Sequence, residues 1–350
     1  MKVLILNPGA TSTKIAVYDE GGERFRRTIE HDARELAAFA RVVEQKKFRE
    51  TLILQALSEA GYSMADFAAV CGRGGLLRHI PSGTYAITER VLRDVEQPPY
   101  GEHASNLGVV LAKELADTVG IPAFFADPVS VDELQDVARV SGFAGMERES
   151  FFHALNQKST ARHAAAQLGR AYEEVNLIVA HLGGGVSVAA HSRGRVVDMF
   201  NVKDDGAMGM DRGGALPVNA VVNLCISGRS KQEVKALLGS SAGVYSYLGT
   251  KDFREVERRA ASGDEQAALI FRAFAYQLAK DIGAMAAVLR FSVDAVVYTG
   301  GMAHSDRLCA ALTEYVGRIA PILRLPGENE MQALAEAALD ALHGGAVREY

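Results

Sequence analysis

The sequence feature that most constrains the fold is a strand–turn–strand layout that occurs twice. Residues 2–29 contain three short β-rich segments separated by glycine-containing turns, and residues 176–200 repeat the same order about 170 residues later. Segments of this kind predict antiparallel meanders, and a layout repeated within one chain predicts a duplicated domain. The chain is therefore predicted to be an α/β protein built from two related halves.

Apolar periodicity in the rest of the chain predicts alternating strands and helices. Strands are expected near 66–75 and 121–130, and a third enters a glycine turn within 293–305. Helices are expected near 32–60, 103–119, 149–168, 264–290 and 330–342. The predicted first domain is residues 1–150 together with a C-terminal helical segment, 331–350, and the predicted second domain is residues 151–330.

Composition limits the class of protein. The chain has 350 residues, of which 48% are hydrophobic, so it can bury a large core. A net charge of −5 and the absence of a long basic run argue against a nucleic-acid partner. No apolar stretch reaches the ~18 residues of a membrane span, and no signal peptide is recognisable. Cys71, Cys225 and Cys309 are dispersed, which favours a reducing, cytoplasmic location.

Three turns contain small residues that let backbone N–H groups approach an anion, and some add hydroxyl donors. They lie at residues 8–13, 183–185 and 300–301. The chain has no GxxxxGK[ST] sequence, and the third turn lacks the full GxGxxG pattern, so neither a P-loop nor a dinucleotide fold is indicated. A single turn of this kind is usually an ordinary hairpin. Three of them, two in matching layouts, predict a phosphate site.

Seven motifs, in this order, resemble those of the acetokinase family of acyl kinases, within the actin, heat-shock chaperone and sugar kinase superfamily. They are LNPGATSTKIAV, GRGGLLRHIPSGTY, GEHASNLG, DPVSVDELQDVARVSG, FFHALNQKS, HLGGGVSVAAH and YTGGMAHS. The resemblance extends over residues 1–342 and is closest to the butanoate-phosphorylating members. It implies two duplicated ribonuclease H-like domains of the actin and sugar-kinase type, with an ATP cleft between them.

The resemblance also implies a reaction, the reversible transfer of the γ-phosphoryl group of ATP to a short-chain carboxylate with Mg²⁺ as cofactor. A carboxylate is already ionised at pH 7, so this reaction needs no general base. The protein would instead position the reactants and neutralise charge on the transferring group. Homodimers or higher homo-oligomers, formed through the second domain, are expected from the same resemblance.

By resemblance, four residues take catalytic roles. Arg73 would bind the substrate carboxylate, Arg212 would point at the phosphoryl group, and His153 would donate a hydrogen bond to it. Asp127 would orient the metal or its water. Each residue type also has a structural interpretation: Arg73 could form a salt bridge, His153 could be a core histidine, and Asp127 could form an Asx turn or a helix cap. Around Arg212 the chain has Arg-Gly-Gly where the resemblance leads to an expectation of Arg-Ser-Gly.

The remaining site residues are also carried over by resemblance. Asn7 and Glu330 are expected on the magnesium side, although Glu330 could equally be an acid favoured at a helix N-terminus. The residues expected to contact ATP are Asn7, Ser12, Lys14, His181, Gly183, Gly185, Ser187, Gly300, Gly301 and Ser305. The residues expected on the acyl side are Arg73, Gly74, Gly75, His103 and Asn106.

Gly74 and Gly75 stand where acetate kinases typically have two β-branched residues. The missing side chains would leave room for a longer acyl chain, and each buried methylene is worth ~0.8 kcal/mol, so butanoate is expected. Acetate, propionate and branched acids such as isobutyrate remain alternatives, because a pocket discriminates one methylene by only about 10–200-fold. More distant alternatives are a sugar-type kinase using Asp127 as a base and a nucleotide-gated binding module.

Overall fold

A computed structural model describes residues 1–201 and 203–350. The chain forms two compact units, Met1–Asp132 with Asn329–Tyr350, and Glu133–Glu328. Each unit contains one sheet of parallel and antiparallel strands with helices packed on it. No helix in the described part of the chain is long and apolar enough to cross a membrane.

The first unit holds a seven-stranded sheet of order β12-β5-β6-β4-β1-β2-β3. Its strands are β1 (Val3–Pro8), β2 (Ser12–Asp19), β3 (Gly22–Glu30), β4 (Ala69–Arg73), β5 (Thr84–Ala86), β6 (Ala123–Ala126) and β12 (Val347–Arg348). The first three form the predicted antiparallel meander, and β4 and β6 continue the sheet in parallel with β1. β1 lies between neighbours on both sides and is buried along its whole length, as its apolar sequence predicts.

The second unit holds a five-stranded sheet of order β11-β10-β7-β8-β9. Its strands are β7 (Asn176–Leu182), β8 (Val186–Ser192), β9 (Arg195–Asn201), β10 (Ala295–Gly300) and β11 (Ile322–Pro326). The antiparallel meander β7-β8-β9 and the parallel strands β10 and β11 repeat the arrangement of β1-β2-β3 with β4 and β6. The predicted duplication of the α/β layout is confirmed.

Thirteen α-helices connect these strands in the described part of the chain. The first unit contains α1 (Ala33–Leu36), α2 (Lys46–Glu59), α3 (Glu89–Glu96), α4 (Leu107–Asp117) and α13 (Glu330–Leu342). The second unit contains α5 (Asp136–Arg139), α6 (Ala154–Gln167), α7 (Val218–Cys225), α8 (Lys231–Ser240), α9 (Gly243–Leu248), α10 (Phe253–Ala261), α11 (Glu265–Val288) and α12 (Asp306–Val316). The helix predicted over 32–60 is broken into α1, a 3-10 turn and α2.

Alternation along β7 explains the layers of the second unit. Leu177 and Val179 belong to a cluster that contains residues of α6, whereas Ile178 and Ala180 belong to a larger cluster with residues of α11. Successive side chains of a strand point to opposite faces, so one helix layer covers each face of the sheet. The predicted long helix near 264–290 is confirmed as α11, and Asp264 caps its N-terminus by accepting from the N–H of Ala267.

The segment before α6 corrects the predicted domain boundary at residue 150, because residues from Glu133 onward belong to the second unit. The Glu133 carboxylate binds the buried Lys158 ammonium of α6 at 2.8 Å and accepts from the N–H of Val196 in β9. Arg148 binds Asp198 of β9 at 2.8 Å. These charge-assisted bonds attach the segment to β9, and an apolar periodicity analysis cannot detect them.

Candidate active site

The carboxyl ends of three adjacent parallel strands place Asn7, Arg73 and Asp127 along one edge of the first sheet. In the register of the sheet, Leu6 of β1 lies beside Gly72 of β4, and Arg73 of β4 lies beside Ala126 of β6. Asn7, near the end of β1, is therefore at the level of Arg73, and Asp127 immediately follows β6, one residue beyond Ala126. Ligands of open α/β sheets bind outside the carboxyl ends of strands, so this edge is a candidate site.

Asn7, Arg73 and Glu330 contact one another through two hydrogen bonds and one ion pair within the first unit. Arg73 Nη2 lies 2.8 Å from Glu330 Oε1, Asn7 Nδ2 donates to Glu330 Oε2 at 2.8 Å, and Arg73 Nη1 donates to Asn7 Oδ1 at 3.3 Å. The Glu330 side chain is 7% exposed and the Arg73 side chain 21% exposed. A guanidinium has five N–H donors, so Arg73 keeps donors beyond these two for a carboxylate or phosphate.

Arg49 of α2 is fully buried and binds the turn after β1. Its Nη1 donates to the carbonyl oxygens of Gly9 and Ser12 at 2.9 and 3.0 Å, and its Nη2 donates to that of Ala10. Burial lowers the pKa of the Arg49 guanidinium from 12.5 to about 10. In the described residues its hydrogen-bond partners are all neutral, so a positive charge sits directly under the turn.

The polar residues of this turn point in different directions. Lys14 is exposed on β2, Ser12 is half-buried, and Thr13 is fully buried, with its Oγ1 2.8 Å from Nε2 of His31. Burial, together with the charge of Arg49, lowers the pKa of His31 to about 4. His31 is therefore neutral near pH 7, and the buried charge beside Thr13 is that of Arg49.

Asp127 has a structural role in this unit. Its Oδ1 accepts from Ser82 Oγ at 2.7 Å and from the N–H of Gly83 at 2.8 Å. Its backbone has a φ of +39°, a left-handed conformation that non-glycine residues seldom adopt. These two hydrogen bonds agree with the interpretation of Asp127 as a turn residue. Its predicted catalytic role stays a prediction.

The argument that Gly74 and Gly75 open a pocket for a longer acyl chain is wrong. A Cβ added to Gly74 would lie 2.8 Å from Cβ of Pro128, and one added to Gly75 would lie 1.9 Å from Oδ1 of Asn106. The space that these glycines leave is therefore filled by neighbouring atoms of the protein. Asn106 is the important neighbour, because its Oδ1 also accepts from the N–H of Leu76 at 2.8 Å.

His103 and Asn106, both predicted on the acyl side, line one small pocket of the first unit. Val42, Val43, Val95 and Leu107 supply its apolar wall, and Glu102 lies at its margin. The Asn106 side chain is buried, and its Nδ2 has no hydrogen-bond partner among the described residues. The pocket thus combines an apolar wall with a buried amide donor.

The turn after β7 is stabilised by backbone bonds. The N–H of Gly183 donates to the carbonyl of Gly185 at 3.1 Å, and the N–H of Met210 donates to that of Gly184 at 3.2 Å. The second bond fixes the segment before Arg212 against the turn. A Cβ added to Gly185 would lie 3.4 Å from Arg212 Nη1, so the guanidinium reaches this turn while the side chain stays 47% exposed.

His153 and His181 stack at the same turn, with ring centroids 3.8 Å apart and an interplanar angle of 11°. His153 immediately precedes α6 rather than lying on it, which corrects the predicted helix start. Its Nδ1 lies 2.8 Å from Ser187 Oγ, and Nδ1 of His181 lies 2.8 Å from Asn156 Oδ1. Because Ser187 is buried and bonded to His153, its hydroxyl supports the histidine in this structure.

The turn after β10 lies beside β7 in the second sheet, since Thr299 pairs with His181 in the register of the strands. Gly300 and Gly327 exchange backbone hydrogen bonds of 3.1 and 3.0 Å, and Gly301 is exposed. Ser305 caps α12 by accepting from the N–H of Leu308, and its hydroxyl also binds the Glu257 carboxylate. The predicted adenosine contacts of these residues stay predictions.

The donor chemistry at the first edge fits a magnesium ion. Within residues 1–201 and 203–350 there is no cluster of three or more His, Cys, Asp or Glu residues able to hold a metal. Mg²⁺ does not need one, because it keeps several waters and binds one or two carboxylates. Glu330 Oε2 accepts one hydrogen bond and Oε1 pairs with the Arg73 guanidinium, so each oxygen retains a lone pair for a metal or its water.

Comparisons with known proteins agree with this description. Residues 144–316 match the sequence model of the acetokinase family. The chain is 45% identical to butyrate kinase 1 of Clostridium acetobutylicum over 345 residues, which cover 98% of this chain and 97% of that protein. Acetate kinase of Porphyromonas gingivalis has the same fold, with a TM-score of 0.80, 21% identity and coverage of 96% and 98% of the two chains.

A sugar kinase is a more distant structural neighbour. The ROK hexokinase of Thermus thermophilus superposes with a TM-score of 0.54 at 18% identity, covering 99% of this chain and 100% of that one. The fold is therefore that of the two-domain kinases, as the resemblance implied. Within that class, the chain belongs to the acetokinase family.

Proposed function

We propose that this protein transfers the γ-phosphoryl group of ATP to butanoate, forming butanoyl phosphate and ADP. The observation that carries the proposal is the 45% identity with a butyrate kinase over 98% of the chain. The geometry of each unit supports it. In the first unit, the sheet edge presents the partly exposed guanidinium of Arg73, held by Asn7 and Glu330. In the second unit, stacked histidines lie beside a glycine turn.

The proposed roles follow from the donors that each residue offers. Arg73 binds the carboxylate of the substrate with the N–H groups that Asn7 and Glu330 leave available. Arg212 and His153 act on the transferring phosphoryl group, because Arg212 Nη1 and His153 Nε2 approach the same glycine, Gly185. Two fixed donors of this kind stabilise charge that develops in the transition state.

Asn7 and Glu330 would hold Mg²⁺ with water in its remaining coordination positions. When bound, the ion would neutralise charge on the phosphates of ATP. The turn at Ser12 in the first unit, and the turns at Gly183 to Gly185 and at Gly300 in the second unit, would each contact the nucleotide. Because small residues bring backbone N–H groups close to an anion, these turns suit a phosphate chain.

Acyl phosphate formation tests the proposed reaction directly. The protein is incubated with Mg-ATP and straight and branched acids from acetate to hexanoate, and the product is trapped with hydroxylamine. We expect maximal kcat/KM at four carbons. A maximum at acetate would support an acetate kinase, and no product with any acid would contradict the proposal.

We also propose that the protein forms a homodimer through α7 of the second unit. Val218, Val222 and Ile226 recur every four residues and are 76%, 50% and 76% exposed, so they form one apolar face. Sedimentation velocity should show a dimer for the wild type and a monomer for Val222→Lys. A wild-type monomer would contradict the proposal.

A cytoplasmic location remains a prediction from the three free cysteines.

A further inference from the structure

The stacked pair His153–His181 directs both of its Nε2 atoms to the turn after β7. A Cβ added to Gly183 would lie 2.9 Å from Nε2 of His181, and one added to Gly185 would lie 3.2 Å from Nε2 of His153. A neutral imidazole carries its proton on one nitrogen and a lone pair on the other. The partner of each Nδ1 atom therefore determines what each Nε2 offers to a ligand.

The orientation of the Gln157 amide fixes the first proton. Gln157 Nε2 donates to the backbone carbonyl of Ser187 at 3.2 Å, and a carbonyl oxygen can only accept. Gln157 Oε1 therefore faces Nε2 of His191 at 3.1 Å, and that nitrogen must donate. Burial holds the pKa of His191 well below its usual value, so its Nδ1 is free of a proton and accepts from the Tyr172 hydroxyl at 2.7 Å.

The same amide fixes the proton of Ser187. Gln157 Nε2 also donates to Ser187 Oγ at 2.8 Å. The single hydroxyl proton of Ser187 is then directed to its other near neighbour, Nδ1 of His153, at 2.8 Å. Because that nitrogen accepts, His153 carries its proton on Nε2 and presents an N–H to the turn.

Asn156 fixes the opposite arrangement at His181. Asn156 Nδ2 donates to the carbonyl of Gly327 at 3.4 Å, so the other atom of this amide, Oδ1, is an acceptor. The Thr299 hydroxyl lies 3.3 Å from both Oδ1 and the Gly327 carbonyl. Asn156 Oδ1 also lies 2.8 Å from Nδ1 of His181, which must therefore donate. In its neutral form His181 consequently presents the lone pair of its Nε2, and Glu328 Oε1 lies 3.8 Å from this nitrogen.

We propose that the neighbouring amides Asn156 and Gln157 hold His181 and His153 in opposite neutral tautomers. The turn then receives one N–H and one lone pair from two rings in stacking contact. The role of this arrangement in catalysis rests on the proposed function: His153 donates to a phosphoryl oxygen, and His181 accepts from a water or hydroxyl of the ligand. Asn156 and Gln157 are positioning residues, and Ser187 transmits the effect of Gln157 to His153.

Side-chain ¹⁵N NMR of the full-length protein without substrate tests the tautomers. We expect Nε2–H for His153 and Nδ1–H for His181, with the signals assigned by His153→Gln and His181→Gln. Gln157→Glu should move the His153 proton to Nδ1, because a carboxylate has no N–H and accepts the Ser187 proton itself. Asn156→Asp, the same change one residue away, should leave the His181 proton on Nδ1. Nδ1–H on His153 in the wild type overturns the proposal.

Ser187→Ala provides a second variant in case Gln157→Glu does not fold. Without the hydroxyl, His153 should show exchange between two tautomers, and Ser187→Thr should restore the single form. An unchanged His153 spectrum in Ser187→Ala would overturn the proposal. The spectra require no substrate, so a failure of the tautomer assignment is distinguishable from a failure of the proposed kinase reaction.

Activity measurements connect the tautomer to the reaction. Losing one donor to the transition state should lower kcat of Gln157→Glu by about 10²–10³-fold. The KM for ATP should change by less than roughly 3-fold, because the lost interaction is made chiefly in the transition state. Ser192→Ala is the matched control, since it removes a 2.9 Å bond to Asn176 at the other end of β8 and should leave kcat unchanged. A rise in KM without a fall in kcat would overturn the positioning role.

Discussion

A buried cation, Arg49, supports the turn after β1, whereas two stacked imidazole rings and the amides bonded to them lie at the turn after β7. Both turns connect the first two strands of a meander, and the corresponding strands β6-β4-β1-β2-β3 and β11-β10-β7-β8-β9 follow the same order in the two sheets. In the first unit Arg49 binds the carbonyl oxygens of the turn, and in the second unit Gln157 and Asn156 orient two histidines beside it. The same backbone layout therefore accommodates two kinds of support.

The difference separates two ways of preparing a site for an anion. A guanidinium under a turn contributes charge that attracts an anion from any direction, and burial reduces its screening by solvent. Neutral imidazoles contribute no net charge but offer donors and acceptors of fixed direction. We infer that the first turn attracts phosphate through its charge. The second turn selects a ligand by the directions of the hydrogen bonds that the ligand can make.

The largest expected effect comes from removing the guanidinium at the first edge. Arg73→Ala should lower kcat/KM for the acid by about 10³-fold or more, because a charge-assisted bidentate contact is lost. The readout is the hydroxylamine assay. Arg78→Ala is the control, since Arg78 is an exposed arginine of the same unit that binds Asp94 at 2.7 Å. Turnover close to wild type in Arg73→Ala would remove Arg73 from the site.

Replacing the buried cation should destabilise the first unit. Arg49→Met removes at least four hydrogen bonds and leaves the buried Gln45 amide oxygen and the part-buried Gly9 carbonyl without this donor, so we expect a loss of about 3 kcal/mol in the free energy of unfolding. Arg49→Lys retains the charge with fewer donors and should lie between the two. Urea unfolding measures this order. Equal stability of all three proteins would show that the cation does not support the turn.

A methyl group distinguishes the two turns. Gly185→Ala places a Cβ 3.2 Å from His153 Nε2, which must move, so kcat should fall by about 10-fold. Gly9→Ala places its Cβ 3.5 Å from the nearest atom, an ordinary contact, and should change kcat by less than about 2-fold. Steady-state kinetics of both variants give the comparison. Equal effects would contradict the assignment of tighter packing to the second turn.

The two units should also respond differently to pH. Burial raises the pKa of Asp281 to about 7, and its carboxylate accepts from the N–H of Ala207 at 2.7 Å. The folded state thus binds more protons than the unfolded state between about pH 4 and 7, so stability falls as pH rises through this range. In the first unit the sign is opposite: the pKa of His31 is lowered to about 4, so the folded state binds fewer protons there and this contribution to stability rises between about pH 4 and 6.5. Arg49, with a pKa of about 10, stays charged throughout.

Asp281→Asn should remove this fall, because an amide oxygen still accepts from Ala207 but does not ionise. We expect the variant to gain roughly 2–3 kcal/mol relative to the wild type between pH 5 and pH 8. Thermal unfolding over that range is the measurement. A wild-type protein whose stability rises steadily from pH 5 to pH 8, in parallel with Asp281→Asn, would rule out this contribution.

Strands, turns and the main helices could be predicted from the sequence because they depend on local periodicity. The meander at 176–200 and the helix near 264–290 are examples, since apolar spacing and glycine positions fix both. The predicted edge residues Asn7, Arg73 and Glu330 lie together because the carboxyl ends of β1 and β4 meet the start of α13.

Features that depend on partners distant in sequence were not predictable in this way. Arg49, Asn156 and Gln157 gave no signal of their own, although the last two fall in the motif FFHALNQKS. The prediction that Gly74 and Gly75 open an acyl pocket was wrong for the same reason. Only the structure shows that Asn106 fills the space beside Gly75. A single sequence reveals missing side chains but does not reveal which distant atoms take their place.

The return of the chain to its first sheet affects the order of assembly during synthesis. The second unit is continuous from Glu133 to Glu328, whereas the first needs Asn329–Tyr350 to complete it. Chains emerge from the ribosome N-terminus first, so the second unit can fold while the first still lacks α13. Arg73 therefore has no ion pair with Glu330 until that residue has been synthesised. The edge of the first sheet that carries Arg73 is among the last parts of the protein to form.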